Sequence, residues 1–270
     1  MPLSNNFEGA EVEAILTELV QILRAPQDDV RGHIASRIRW SPLVCRMRNL
    51  LVLDGAQTAL QAAVSHQARN RIAGNYAEFG VFRGRKLTDV YFIVSEQLEL
   101  YRNLRINRFS DTVRNLSQMR FIGFDSFQGM PPATERVDEG LLQPGDLSAS
   151  LEEVQKALSA AGVDLSRVDL VPGFFEDSLP AYKERIISSG IAIANVDCDF
   201  YSSARTVLQF LGDTLVEGGI IVFDDWFLFG GHPDRGEQKA FHEWLTANPQ
   251  LRATEFMTTG WSKSFIIHRS

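Results

Sequence analysis

The sequence predicts an α/β protein, with helices on both faces of a mostly parallel sheet and an antiparallel strand near its C-terminal end. Three observations predict it. From Asn75 onward, short apolar segments alternate with segments of helical period, as βαβ units do. The last two apolar segments are joined by Thr259–Gly260–Trp261–Ser262, which reads as a hairpin turn. The chain has 270 residues, 44% apolar and 23% charged, which is ordinary globular composition and long enough for one large α/β domain.

The elements follow in order. Residues 1–70 read as a helical extension, with Val12, Ile15, Leu16, Leu19, Ile22 and Leu23 at helical spacing. A second helix is predicted from Leu50 to Arg71, and Arg31, Arg37, Arg39, Arg46 and Arg48 lie between the two. That arginine run is a solvated face, or a contact for an anionic substrate or a neighbouring subunit. Residues 71–270 form the main domain. Strands are predicted at Asn75–Gly80, Arg120–Phe127, Val168–Pro172, Ile191–Asp197, Gly219–Asp224, Thr254–Thr258 and Lys263–His268, seven in all. Helices are predicted at Lys86–Leu100, Ala149–Ala161, Ala181–Ser188, Ser203–Leu215 and Glu237–Asn248. Residues 128–148 follow no period and carry three prolines and three glycines, so they read as an active-site lid.

Composition excludes several functions. Acidic residues outnumber basic ones 34 to 27, a formal charge of −7, so no basic footprint for nucleic acid is expected. No apolar run is long enough for a membrane span, and the first residues lack the pattern of a signal peptide. Cys45 and Cys198 do not make a disulfide framework, so a reducing cytoplasm is expected.

Ligands of open parallel sheets bind beyond the carboxyl ends of the strands. Read there, the sequence delivers Glu78, Gly80 and Gly84, then Asp125, then Asp197 and Asp199, then Asp224 and Asp225. Gly80 and Gly84 leave room for close backbone approach at the first turn. GxGxxG and GxxxxGK[ST] are both absent, so neither a dinucleotide turn nor a P-loop is expected. Glu78 beside that turn suits an amine better than a phosphate, and Asp125 suits ribose hydroxyls. S-adenosylmethionine has both groups. Asp197, Asp224 and Asp225 on neighbouring tips would repel one another unless a cation compensated, and Mg²⁺ suits such a set. Asp199 reads mostly as an N-cap for the helix that follows, and His232 as an exposed loop residue. Trp226 and Phe227 are candidates for stacking on a substrate ring.

The segments YAEFGVFRG, FIGFDSFQGMPP, GFFEDSLP, VDCDFYSSA and GGIIVFDDW together resemble the macrocin O-methyltransferase (TylF) family. The resemblance runs from Asn75 to the C-terminus. It implies a class I, Rossmann-like methyltransferase fold and S-adenosylmethionine- and Mg²⁺-dependent methylation of a sugar hydroxyl on a natural product or glycan. It further implies that Glu78, Phe79, Gly80 and Gly84 line the methionine end of the cofactor, that Asp125 and Ser126 hold the ribose, and that Phe175 lies by the adenine. Asp197, Asp224 and Asp225 would bind the metal, with Asp197 also the base, and the chain would form a homo-oligomer. Two residues depart from the family pattern: Cys198 stands where glycine is common, and Trp226 where tyrosine is common. A nicotinamide-dependent sugar-nucleotide oxidoreductase would need GxGxxG and a Tyr-x-x-x-Lys pair, which are missing. A non-catalytic binding module of the same fold is the other alternative.

Overall fold

A computed structural model describes residues 55–270 apart from 105, 137 and 141. The expected helix at Glu11–Leu23 and the arginine run at 31–48 lie outside the described residues. Helix α1 spans Gly55–Asn70 and leads into β1, Asn75–Phe79. Helix α2 (Arg85–Leu104) and helix α3 (Ser110–Gln118) follow, then β2 at Phe121–Asp125. After the long loop come α4 (Leu151–Ala160), β3 (Val168–Pro172), α5 (Phe175–Ile186) and β4 (Ile191–Val196). The chain closes with α6 (Tyr201–Thr214), β5 (Leu215–Phe223), α7 (Gly236–Ala247), β6 (Leu251–Thr259) and β7 (Ser262–Arg269).

The seven strands form one sheet in the order β3-β2-β1-β4-β5-β7-β6. The first five are parallel, and β7 pairs antiparallel with both β5 and β6. The predicted fold class and hairpin are therefore present. Every residue of β1 and β4 is buried, as expected of central strands covered by helices on both faces. Phe79 stacks on Phe124 at 5.2 Å between centroids, and Phe210 of α6 meets both rings edge-on. Each such pair adds roughly 0.5–1.5 kcal/mol beyond area burial, so these aromatics bind the sheet to α6.

Two differences from the sequence expectation have local causes. Helix α5 begins at Phe175, ahead of the predicted Ala181, and carries Pro180 within it. Proline removes one helical donor, but Glu176 and Asp177 in the first turn favour the positive helix end, and Leu179 and Tyr182 bury its inner face. Helix α3 has no counterpart among the predicted elements. It is short and strongly polar, and only Thr112 and Leu116 are buried.

Chain order and sheet order reverse between β1 and β4, because β2 and β3 are laid down on one side and β4 returns to the other. A crevice opens at the carboxyl ends at such a switch point.

Candidate active site

The rim is assembled by backbone bonds between strand tips. The Asp197 N–H donates to the Phe79 carbonyl at 2.9 Å, and the Asp224 N–H to the Val196 carbonyl at 2.9 Å. These bonds place Gly80, Asp197 and Asp224 side by side. Gly80 has a φ of +95°, and a Cβ there would lie 1.8 Å from the Asp197 carbonyl oxygen. Only glycine permits that approach.

A cleft lies over these tips. Gly80, Asp125, Ser126, Phe175 and Asp197 all line it, so five of the expected site residues share one cleft. Phe82, Met130, Pro131 and Leu147 add apolar surface. Met130, Pro131 and Leu147 belong to the 128–148 loop, which thus supplies part of the cleft's lining. Phe82, Phe127, Leu147 and Asp199, all at or beside the cleft, have φ between +48° and +57°. Such left-handed residues are costly and cluster where the surrounding structure fixes a functional shape.

Asp125 does two jobs. Its Oδ2 accepts the Val81 and Phe82 N–H groups at 2.8 and 2.9 Å, and its Oδ1 accepts the Phe127 N–H at 2.7 Å. A carboxylate offers about four acceptor positions, so one is left for a ligand hydroxyl. Ser126 Oγ donates to the Gly129 carbonyl at 2.7 Å and holds the start of the lid.

Other predicted residues lie elsewhere. Glu78 is buried at the end of β1 and accepts the Tyr76 hydroxyl at 2.5 Å. Burial pushes its carboxyl up to about 8, against the opposing pull of the Tyr76 hydrogen bond and Lys86. Phe79 belongs to the core. Gly84 has a φ of +73° and faces Val154 and Leu158 of α4, which a Cβ would meet at 3.2 and 3.3 Å. Its smallness therefore serves helix packing. Trp226, expected to stack on substrate, is instead buried among Phe223, Phe241 and Phe265. The residue after paired acids at a strand end turns back into the core when apolar partners wait there. His232 is exposed, as expected. Asp199 does not cap α6; the carboxylate of Asp138, from the 128–148 loop, does so instead.

Lys86 joins the site without being among the expected residues. It stands in the first turn of α2, and its Nζ donates to Asp197 Oδ2 at 2.7 Å and to Asp224 Oδ2 at 2.5 Å. Burial disfavours its charge, but the two carboxylates outweigh that and hold its pKa above the ordinary lysine value. Asp197 is raised by burial and by Asp224 and Asp225, with Lys86 pulling the other way. One sequence signal points to this lysine. A cation in a helix's first turn opposes the helix dipole, and no acid in that turn compensates it.

The acids do not fit the expected metal as they stand. An ammonium already bridges two of the three carboxylates, and a dication there would have to displace it. Among the described residues no group of three or more His, Cys, Asp or Glu side chains is arranged to hold a metal ion.

A seven-stranded sheet of this order, with its cleft at the switch point, defines a class I methyltransferase fold. Solved structures share it, among them the two that follow. The O-methyltransferase NovP matches with a TM-score of 0.63 at 20% identity, over 79% of each chain. The calicheamicin methyltransferase CalS11 matches with a TM-score of 0.62 at 21% identity, over 97% of this chain and 94% of the other. The profile of the macrocin-O-methyltransferase (TylF) family matches residues 52–246. The chain belongs to that family of O-methyltransferase enzymes. Among relatives, the 8-demethyl-8-(2,3-dimethoxy-alpha-L-rhamnosyl)-tetracenomycin-C 4'-O-methyltransferase of Streptomyces olivaceus is 25% identical over 193 residues, 69% of this chain and 64% of its own length. The mycinamicin III 3''-O-methyltransferase of Micromonospora griseorubida is 33% identical over 111 residues, 38% of this chain and 42% of its own length. The matches thus span less than two thirds of either relative.

Proposed function

We propose that this chain transfers the methyl group of S-adenosylmethionine to a hydroxyl of a sugar carried on a natural product or glycan. One observation carries the reading: Gly80, Asp125, Ser126, Phe175 and Asp197 line one cleft at the sheet's switch point. The family match supports methyl transfer over the nicotinamide alternative. The rhamnosyl group in the name of the Streptomyces relative supports a sugar acceptor.

The cleft's residues fit the cofactor. Asp125 keeps one acceptor position for a ribose hydroxyl, and the ring of Phe175 offers an apolar face to a purine. The acidic rim favours a cationic ligand. When bound, S-adenosylmethionine supplies an electrophilic methyl group. The chain's residues do the rest. The lid residues Met130, Pro131 and Leu147 exclude water from above. Asp197 receives the proton of the acceptor hydroxyl, and its environment raises its basicity. Most of the rate enhancement comes from holding hydroxyl and methyl group in line. No step is routed through Mg²⁺, because the residues as placed do not fit it.

The test is methyl transfer from labelled S-adenosylmethionine to a panel of deoxysugar glycosides, with calorimetric binding of S-adenosylhomocysteine measured in parallel. Asp197→Asn should bind S-adenosylhomocysteine like the wild type and lose transfer. Absence of S-adenosylhomocysteine binding by the wild type would overturn the reading.

A further inference from the structure

We infer that Lys86 is the resident cation of the acidic rim, holding Asp197 and Asp224 together in the place a divalent ion would take. Its meaning for catalysis rests on the function proposed above, but the geometry stands alone. The ammonium bonds one oxygen of each acid, while Asp224 Oδ1 accepts the Ser262 hydroxyl at 3.0 Å. Both oxygens of Asp224 are thereby engaged. The side chains of Lys86, Asp197 and Asp224 are 16%, 27% and 24% exposed, so solvent and salt screen the pairs only weakly.

The lysine is also fixed from behind. Leu87 and Val90, its neighbours on α2, are fully buried, and the Thr88 hydroxyl donates to the Gly84 carbonyl at 2.7 Å. The helix is therefore anchored where Lys86 leaves it. A hard dication gathers oxygens at about 2.1 Å and repels a neighbouring ammonium, so the two cations compete for one place. Lys86 also bears on the proposed reaction. It fixes Asp197 on a cleft wall through Oδ2, as a positioning residue for the base.

The experiment titrates Mn²⁺ into the full-length protein and reads the free ion by electron paramagnetic resonance, without any turnover. The wild type should leave Mn²⁺ free. Lys86→Ser should take up Mn²⁺ with an affinity at least about tenfold higher, because two uncompensated carboxylates remain. Adding Asp224→Asn to that variant should abolish the uptake. Should Lys86→Ser fail to fold, Lys86→Gln keeps much of the stem without the charge and should show the same direction. Stoichiometric Mn²⁺ binding by the wild type, unchanged or weaker in the Lys86 variants, would overturn the inference. Failure of both Lys86 variants to bind Mn²⁺ would overturn it too, since the acids would not then be a cation site. Calorimetry with S-adenosylhomocysteine separates this inference from the proposed function. If the wild type does not bind it, the proposed function fails, while Mn²⁺ uptake still decides the role of Lys86.

Discussion

Asp138 and Tyr201 lie 63 residues apart, yet the Asp138 carboxylate accepts the Tyr201 N–H at 2.7 Å. It also accepts the Ser202 N–H at 3.1 Å, and the residue is fully buried. A residue of the 128–148 loop thus caps the helix that follows β4, at the end where α6 presents unpaired donors and a positive dipole. Glu135 adds a surface pair to Arg205 of the same helix, at 3.1 Å. The 128–148 loop is therefore pinned to the helix that follows β4. Asp138→Ala should cost about 1–2 kcal/mol of stability. It should also open the 128–148 loop to protease. Thermal melts and limited proteolysis check both, and a loop cut no faster than in the wild type would refute the anchoring role.

Asp125 links the first turn, the second strand and the residue just before the 128–148 loop through its three backbone donors. Asp125→Ala releases all three and, on the proposed function, removes the acceptor for a ribose hydroxyl. Bonds to a charged group are each worth about 1.5–3 kcal/mol. The expected loss of S-adenosylhomocysteine affinity is therefore on the order of 10- to 100-fold. Titration calorimetry measures it. An unchanged affinity would show that Asp125 serves only the loops.

Much of the fold is legible in the sequence because a parallel sheet leaves a strong record. Its central strands are short and mostly apolar, and α2, α6 and α7 are long enough to repeat their period. The edge strand β3, Val168–Pro172, is legible to the residue although no position in it is fully buried, because turn-forming residues bound it. The short polar helix α3 leaves no periodic record. At the site, sequence position locates the carboxylates on strand tips, but not their partners. Asp138 and Tyr201 meet only through the tertiary path of the 128–148 loop. Lys86 meets Asp197 across 111 residues of chain, and Trp226 turns inward because Phe241 and Phe265 await it. Those contacts depend on packing that no local pattern encodes.

Glu78 gives a pH prediction. Its folded-state value near 8 lies above the ordinary carboxyl value of 4.5, with burial as the main cause. Between those two values the folded chain keeps a proton that the unfolded chain has released. Its contribution to stability therefore falls as pH rises through that window. Glu78→Gln stays neutral and can still accept the Tyr76 hydroxyl. It should flatten the decline between pH 5 and 8 and gain on the wild type by on the order of a few kcal/mol at the upper end. Urea denaturation at a series of pH values tests this. Parallel curves for the two proteins would mean that Glu78 does not carry the proton.

Gly80 tests whether the strand tips must touch. Its φ of +95° strains any L side chain, and its Cβ would fall 1.8 Å from the Asp197 carbonyl oxygen. That oxygen is backbone, so it cannot swing aside as a flexible side chain would. Gly80→Ala must therefore part β1 from β4 at the point where Asp197 N–H donates to Phe79. Displacement of Asp197 should stop methyl transfer, and the backbone clash should cost more than about 3 kcal/mol. Gly230 supplies the control. Its φ is +69°, and a Cβ there meets nothing within 4 Å. Gly230→Ala carries the conformational strain without the clash and should cost only about 1 kcal/mol. Denaturation of the two variants side by side separates strain from contact. Equal costs would show that the approach of Gly80 to Asp197 is not what requires glycine there.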